Sequence, residues 1–230
     1  MKMFVVAPHP DDEVLGVGGT IHRLCGEGHD VTVAIATKGW SPLFDESQVR
    51  QVRAEARAAN DRLGTGQLRF LDLPVTRLHA LPEHELNGAF DALFSEEEPD
   101  WVFLPFPGDL HEDHRQIFDA CQVALRPSPD RRPIERIVCY ETVSETHWAA
   151  PGVDPTFSPQ WFVDVSDHLD AKLDAMALYT SQVRPAPDAR SVEAVSSLAK
   201  WRGSVVGVAA AEAFVVIREH LSATSRADRA

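Results

Sequence analysis

No basic run occurs in this chain, and positive charge is scarce. Twenty-two lysines and arginines stand against 35 aspartates and glutamates, a formal net charge of −13. The cationic footprint that grips a phosphate backbone is therefore missing, and nucleic acid is not an expected partner. Long apolar stretches are missing as well: nothing approaches the roughly 18 to 20 consecutive apolar residues that span a bilayer. The segment Met1 to Ala7 offers too few apolar residues before Pro8 for a signal-peptide core. No membrane contact and a cytoplasmic location are the expectations. Cysteine is sparse: Cys25, Cys121 and Cys139 are odd in number, widely spaced and set among apolar residues. They suit reduced, buried thiols rather than a disulfide framework. Internal repeats and low-complexity tracts are also absent.

What is present is alternation. Apolar runs at Met3–Ala7, Val31–Thr37, Leu68–Leu71 and Trp101–Pro105 read as strands. Between them helices are predicted at Gly18–Glu27, Ser47–Leu63 and Glu83–Ser95, the second with Val49, Val52, Ala56, Ala59 and Leu63 near helical spacing and Gly64 as its stop. A helix from His111 to about Leu125, strands at Ile134–Glu141 and Trp161–Val165, and helices at Asp167–Tyr179 and Ser191–Val205 follow. Each crossover must return over the sheet before the next parallel strand begins. The pattern thus predicts one α/β domain, a mainly parallel sheet with helices on both faces. It spans residues 1–221, with 222–230 as a polar C-terminal tail.

Two short segments carry the chemistry. Pro8-His9-Pro10-Asp11-Asp12-Glu13 lies just past the carboxyl end of the first predicted strand, and His111-Glu112-Asp113-His114 a few residues past the strand at Trp101–Pro105. Open α/β sheets place their ligands at that edge. A helix-capping turn needs one acid, not three. Three adjacent carboxylates behind a proline-locked histidine repel one another unless a cation or proton lies between them. His-Glu-Asp-His alone reads equally well as an acidic helix start, which the helix dipole favours, although its two imidazoles share one face. Together the segments exceed the three His, Asp or Glu ligands that a catalytic zinc takes beside its water.

The ordered pair, His9-Pro10-Asp11-Asp12-Glu13 and then His111-x-Asp113-His114, resembles the LmbE/PIG-L family of zinc-dependent N-acetylglucosaminyl deacetylases. Further matches run through Arg53-Ala54-Glu55-Ala56, Phe70-Leu71-Asp72-Leu73-Pro74, Tyr179-Thr180-Ser181-Gln182 and Trp201-Arg202-Gly203-Ser204. The resemblance implies a Rossmann-like fold and removal of an N-acetyl group from an amino sugar or its conjugate, a small-molecule partner. It implies that His9, Asp12 and His114 bind zinc, or another divalent ion such as iron, since the same donors accept several first-row metals. Asp11 is then the general base for a water acidified by the metal. His111, protonated, stabilises the oxyanion and donates to the departing amine. Asp113 orients an imidazole, and Arg53 reaches sugar hydroxyls or a substrate phosphate. This reading requires the imidazoles of His9 and His114 to lie within about 5 Å, roughly twice a zinc bond.

Position 112, often proline in relatives, is Glu112. Asp109 stands where some carry a tyrosine, and Val75 replaces a usual aspartate. The roles of Glu13, Asp109 and His147 stay open at this point. Gly16-x-Gly18-Gly19 fails the spacing of a dinucleotide fingerprint and reads as a close helix-to-sheet contact. Two other readings remain: an amidase acting on a bulkier thiol or peptide-like conjugate, and a noncatalytic sugar-binding module with a structural metal. The subunit number, including a homo-oligomer, is also open.

Overall fold

The computed structural model describes residues 1–129 and 131–220; the tail expected at 222–230 lies outside the described residues. One sheet holds β1 (Lys2–Ala7), β2 (Asp30–Lys38), β3 (Gln67–Pro74), β4 (Trp101–Pro105), β5 (Arg136–Tyr140), β6 (Trp161–Asp164) and β7 (Ala211–Glu219). Their order is β3-β2-β1-β4-β5-β7-β6. Strands β1 to β5 pair in parallel, whereas β7 runs antiparallel to both β5 and β6. The helices are α1 (Asp12–Gly26), α2 (Glu46–Leu63), α3 (Glu83–Glu97), α4 (Glu112–Ala124), α5 (Leu169–Leu178) and α6 (Val192–Val206). Among the described residues no helix is long and apolar enough to cross a membrane.

Successive side chains of a strand point to opposite faces, and in β1 both faces are covered. Met3, Val5 and Ala7 join a core with residues of α1, α2, α5 and α6, while Phe4 and Val6 join a second core with α3 and α4. A strand buried on both sides must be apolar throughout, which is why residues 3–7 form an unbroken hydrophobic run. From β1 the chain winds outward through β2 to β3, then crosses back to β4 and β5 on the other side. The reversal makes a crevice outside the carboxyl ends of β1 and β4, where such sheets bind ligands.

Helix α1 begins at Asp12, six residues before the expected Gly18. Gly16, Gly18 and Gly19 are the contact points that the sequence suggests. A Cβ on Gly16 would come 2.2 Å from Tyr140 Cδ2, and one on Gly19 would come 2.9 Å from Val165 Cβ. The missing side chains let α1 sit close against the sheet, and that packing outweighs glycine's poor helix propensity. Strand β7 was not expected at all. Its buried Glu212 accepts from the N–H groups of Gly19 and Thr20 at 2.9 and 2.7 Å and from Lys172 Nζ at 2.5 Å, tying α1 and α5 to this strand.

Candidate metal centre

Strands β1 and β4 are parallel neighbours, so the loops leaving their carboxyl ends meet. The β1 loop enters α1 through Asp11, whose backbone takes φ 111° and ψ −25°. A residue bearing a side chain holds that left-handed conformation only where its surroundings over-determine it, as at functional sites. The turn sends the Asp11 and Asp12 carboxylates into the crevice, both almost fully buried. The β4 loop enters α4 through His111, whose Nδ1 accepts the Asp113 N–H at 3.1 Å as the helix cap. His114, one turn in, is completely buried.

His9, Asp12 and His114 converge. His114 Nε2 lies 3.3 Å from His9 Nδ1 and 3.2 Å from Asp12 Oδ2, and His9 Nδ1 is 3.3 Å from the same oxygen. Donors about 2.0 to 2.1 Å from a tetrahedral centre are separated by roughly 3.3 to 3.4 Å, so this near-equilateral triangle fits a small divalent cation. The opposite ring nitrogens are taken. His114 Nδ1 meets Asp109 Oδ2 at 2.8 Å, and His9 Nε2 meets Asp113 Oδ2 at 3.2 Å. Carboxylates in those places fix the tautomer and leave His114 Nε2 and His9 Nδ1 as donors. A second group, His9, His111 and Asp113, also gathers ligand atoms. It fits less well, because His111 Nδ1 is committed to its capping bond and stands 4.0 Å from Asp113 Oδ2.

Burial would depress the His114 imidazole, but Asp12 and Asp109 outweigh it and push it up to about 10. Asp11 moves well above the usual carboxylate range, first through burial and then through the charge of Asp12 beside it. Its Oδ2 is buried and has no hydrogen-bond partner among the described residues. His111 differs from the expectation of a protonated ring. Burial and the neighbouring His9 push it down to about 4. With Nδ1 accepting a hydrogen bond, the neutral ring keeps its proton on Nε2.

His9, Asp11, Asp12 and His111 open into a cavity of about 430 Å³ that Arg53, Phe70, Gln182 and Arg190 also line. Arg53 does reach this cavity, but its guanidinium is paired with Asp72 of β3 and lies 4.6 Å from the Phe70 ring centre. On the far side of His111 a shallower groove carries Leu110 and the exposed Trp148, and Thr76, His111 and Glu145 border both spaces. Asp109, Glu145 and Arg190 are site residues that the sequence reading assigned no role. Their proximity to the centre depends on loops folding back over it, and no local spacing announces that. His147 lies outside both spaces and bonds Glu141, 3.0 Å away.

The profile of the PIG-L family, described as GlcNAc-PI de-N-acetylase, matches residues 4–125. The diacetylchitobiose deacetylase of Thermococcus kodakarensis is 30% identical over 199 residues, covering 79% of this chain and 70% of that protein. The 1D-myo-inositol 2-acetamido-2-deoxy-alpha-D-glucopyranoside deacetylase of Mycobacteroides abscessus is 30% identical over 262 residues, covering 94% of this chain and 92% of its own. In three dimensions, the N,N'-diacetylchitobiose deacetylase of Pyrococcus horikoshii superposes with a TM-score of 0.74 at 26% identity, covering 94% of this chain and 83% of that one.

Proposed function

Because this chain belongs to the PIG-L family, we propose that it is a metal-dependent hydrolase that removes the N-acetyl group from an amino sugar or its conjugate. The carrying observation is the triangle of His9, Asp12 and His114 donor atoms, 3.2 to 3.3 Å on each side, with the unpartnered Asp11 oxygen beside it. His9 Nδ1, Asp12 and His114 Nε2 are assigned as the ligands of zinc, or of another divalent ion such as ferrous iron, since nitrogen and oxygen donors accept several first-row metals. Such an ion, when bound, supplies Lewis acidity that acidifies a water and polarises a carbonyl.

The protein's own groups move the protons. Asp11 accepts the proton of the attacking water through Oδ2, and its raised basicity suits that task. His111 donates Nε2–H to the acyl oxygen as negative charge develops there. As the C–N bond breaks, the protonated Asp11 returns its proton to the departing amine, and acetate and a free amine result, because the neutral His111 has no proton to spare. Asp109 and Asp113 hold the two ligand imidazoles. Arg53 and the cavity around it are assigned to the sugar, and residues 1–221 to a single catalytic domain.

Asp11→Asn tests this reading. Its cation stoichiometry should match the parent, while kcat for acetate release from N,N'-diacetylchitobiose or a simpler N-acetylglucosaminide falls about 10²- to 10⁴-fold, the usual worth of a general base. Undiminished turnover would remove Asp11 from the mechanism. Release of amine from bulky amides without acetate from acetylated sugars would transfer the activity to the amidase reading. Asp11's unpaired buried oxygen already disfavours a noncatalytic module, because a closed structural site has no use for it.

A further inference from the structure

Glu13 and the segment Tyr179-Thr180-Ser181-Gln182 have no part in the mechanism above, yet they are built into one assembly behind Asp11. Glu13 is fully buried. Its Oε2 accepts the Asp11 backbone N–H at 3.2 Å, while its Oε1 receives the Tyr179 hydroxyl at 2.5 Å and Asn60 Nδ2 at 3.0 Å. Alongside, Glu55 of α2 accepts from Thr180 Oγ1 at 2.6 Å and from the Ser181 N–H and Oγ at 3.1 and 2.6 Å. Two carboxylates, one from α1 and one from α2, therefore grip the turn that follows α5.

Asp11 is the residue that needs holding. Its φ of 111° lies in the left-handed region, which a side-chain-bearing residue keeps only under constraint from its neighbours. No described group bonds its buried Oδ2. The aim of the carboxylate is therefore set through the backbone, and the side-chain acceptor on that backbone N–H is Glu13. A carboxylate with three donors is itself immobile, so Tyr179 and Asn60 convert Glu13 into a fixed anchor.

We propose that Glu13, buttressed by Tyr179 and Asn60, is a positioning residue that aims the Asp11 carboxylate by holding its backbone in the left-handed turn. The proposal rests on Asp11 being the base. A role confined to packing α1 against α2 and α5 would alter stability without acting selectively through Asp11.

The test is a kinetic cycle on the cation-loaded protein, with acetate release from N,N'-diacetylchitobiose as the readout. Tyr179→Phe keeps the ring and removes the hydroxyl. It should lower kcat about 10- to 100-fold, the effect of a small misplacement of a reacting group, with KM and cation stoichiometry within about twofold of the parent. Glu13→Ala should fall in the same range or below, and Glu13→Gln, which retains a carbonyl acceptor, should recover about tenfold of that loss. In an Asp11→Asn background, adding Tyr179→Phe should change the residual kcat less than about twofold, because the group being aimed is gone. Unchanged kcat in both Tyr179→Phe and Glu13→Ala, or full multiplicative loss in the Asp11→Asn background, overturns the proposal while leaving the base intact. Undiminished kcat in Asp11→Asn alone overturns the base assignment, and the positioning role with it. Should Tyr179→Phe not fold, Glu13→Gln combined with Asp11→Asn decides by the same criteria.

Discussion

Each imidazole of the proposed centre is held from a second side, and Asp109 shows how much of that lies beyond reach of a motif. Its Oδ2 meets His114 Nδ1 at 2.8 Å and its Oδ1 accepts from Thr146 Oγ1 at 2.6 Å, so the ring is aimed by a carboxylate that is itself anchored. Asp109→Asn should weaken cation affinity about 10- to 100-fold in competition with a chelator; equal affinity would mean that the ring needs no such support. His9, Asp11, Asp12, His111, Asp113 and His114 were legible because short covalent spacing forces them together on adjacent strand ends. Asp109 was legible only as a departure from a tyrosine. Its function arises when the loop before α4 turns it back onto His114. The charge of His111 was misjudged for a related reason: burial and the proximity of His9 are tertiary facts.

Among the elements, the strands buried on both faces were readable as unbroken apolar runs, whereas α1 was read six residues short and β7 not at all. The glycines read correctly as a close helix-to-sheet contact, but the helix that carries them already begins at Asp12, inside the acidic run that reads as a ligand-bearing turn. Gly16→Ala should destabilise the protein by about 1 to 3 kcal/mol in denaturant melts, because its Cβ would strike Tyr140, a ring also fixed by a 2.8 Å bond to the Val6 carbonyl. That cost should exceed alanine's helix-propensity gain of about 1 kcal/mol. Gly26→Ala is the matched control: a Cβ there meets nothing within 4 Å, so stability should hold or rise. Equal behaviour of the two variants would contradict the close-contact account of α1. Strand β7 escaped notice because its partners are distant in sequence, and because Glu212 places a charge where a buried strand should be apolar; the charge is met by Lys172 from α5.

For the whole molecule, the winding of the sheet gathers the chemistry at one edge, and electrostatics there and nearby make stability depend on pH. Glu141 lies buried just past the carboxyl end of β5. Burial alone would raise its carboxyl, but His147 and Arg202, the latter at 2.7 and 2.6 Å, hold it below its ordinary value of 4.5. A depressed carboxyl adds stability above its unfolded pKa and forfeits it as pH falls through the folded one. The stability advantage of the parent over Glu141→Gln should therefore be largest near neutrality and shrink on acidification below about pH 4.5. An advantage that grows under acid would reverse the assigned sign. The most direct measurement of the central claim is anomalous diffraction at the zinc edge from a crystal equilibrated with zinc. One peak should lie about 2.0 to 2.2 Å from His9 Nδ1, an Asp12 oxygen and His114 Nε2. A peak held instead by His9, His111 and Asp113, or none at the crevice, would contradict the account.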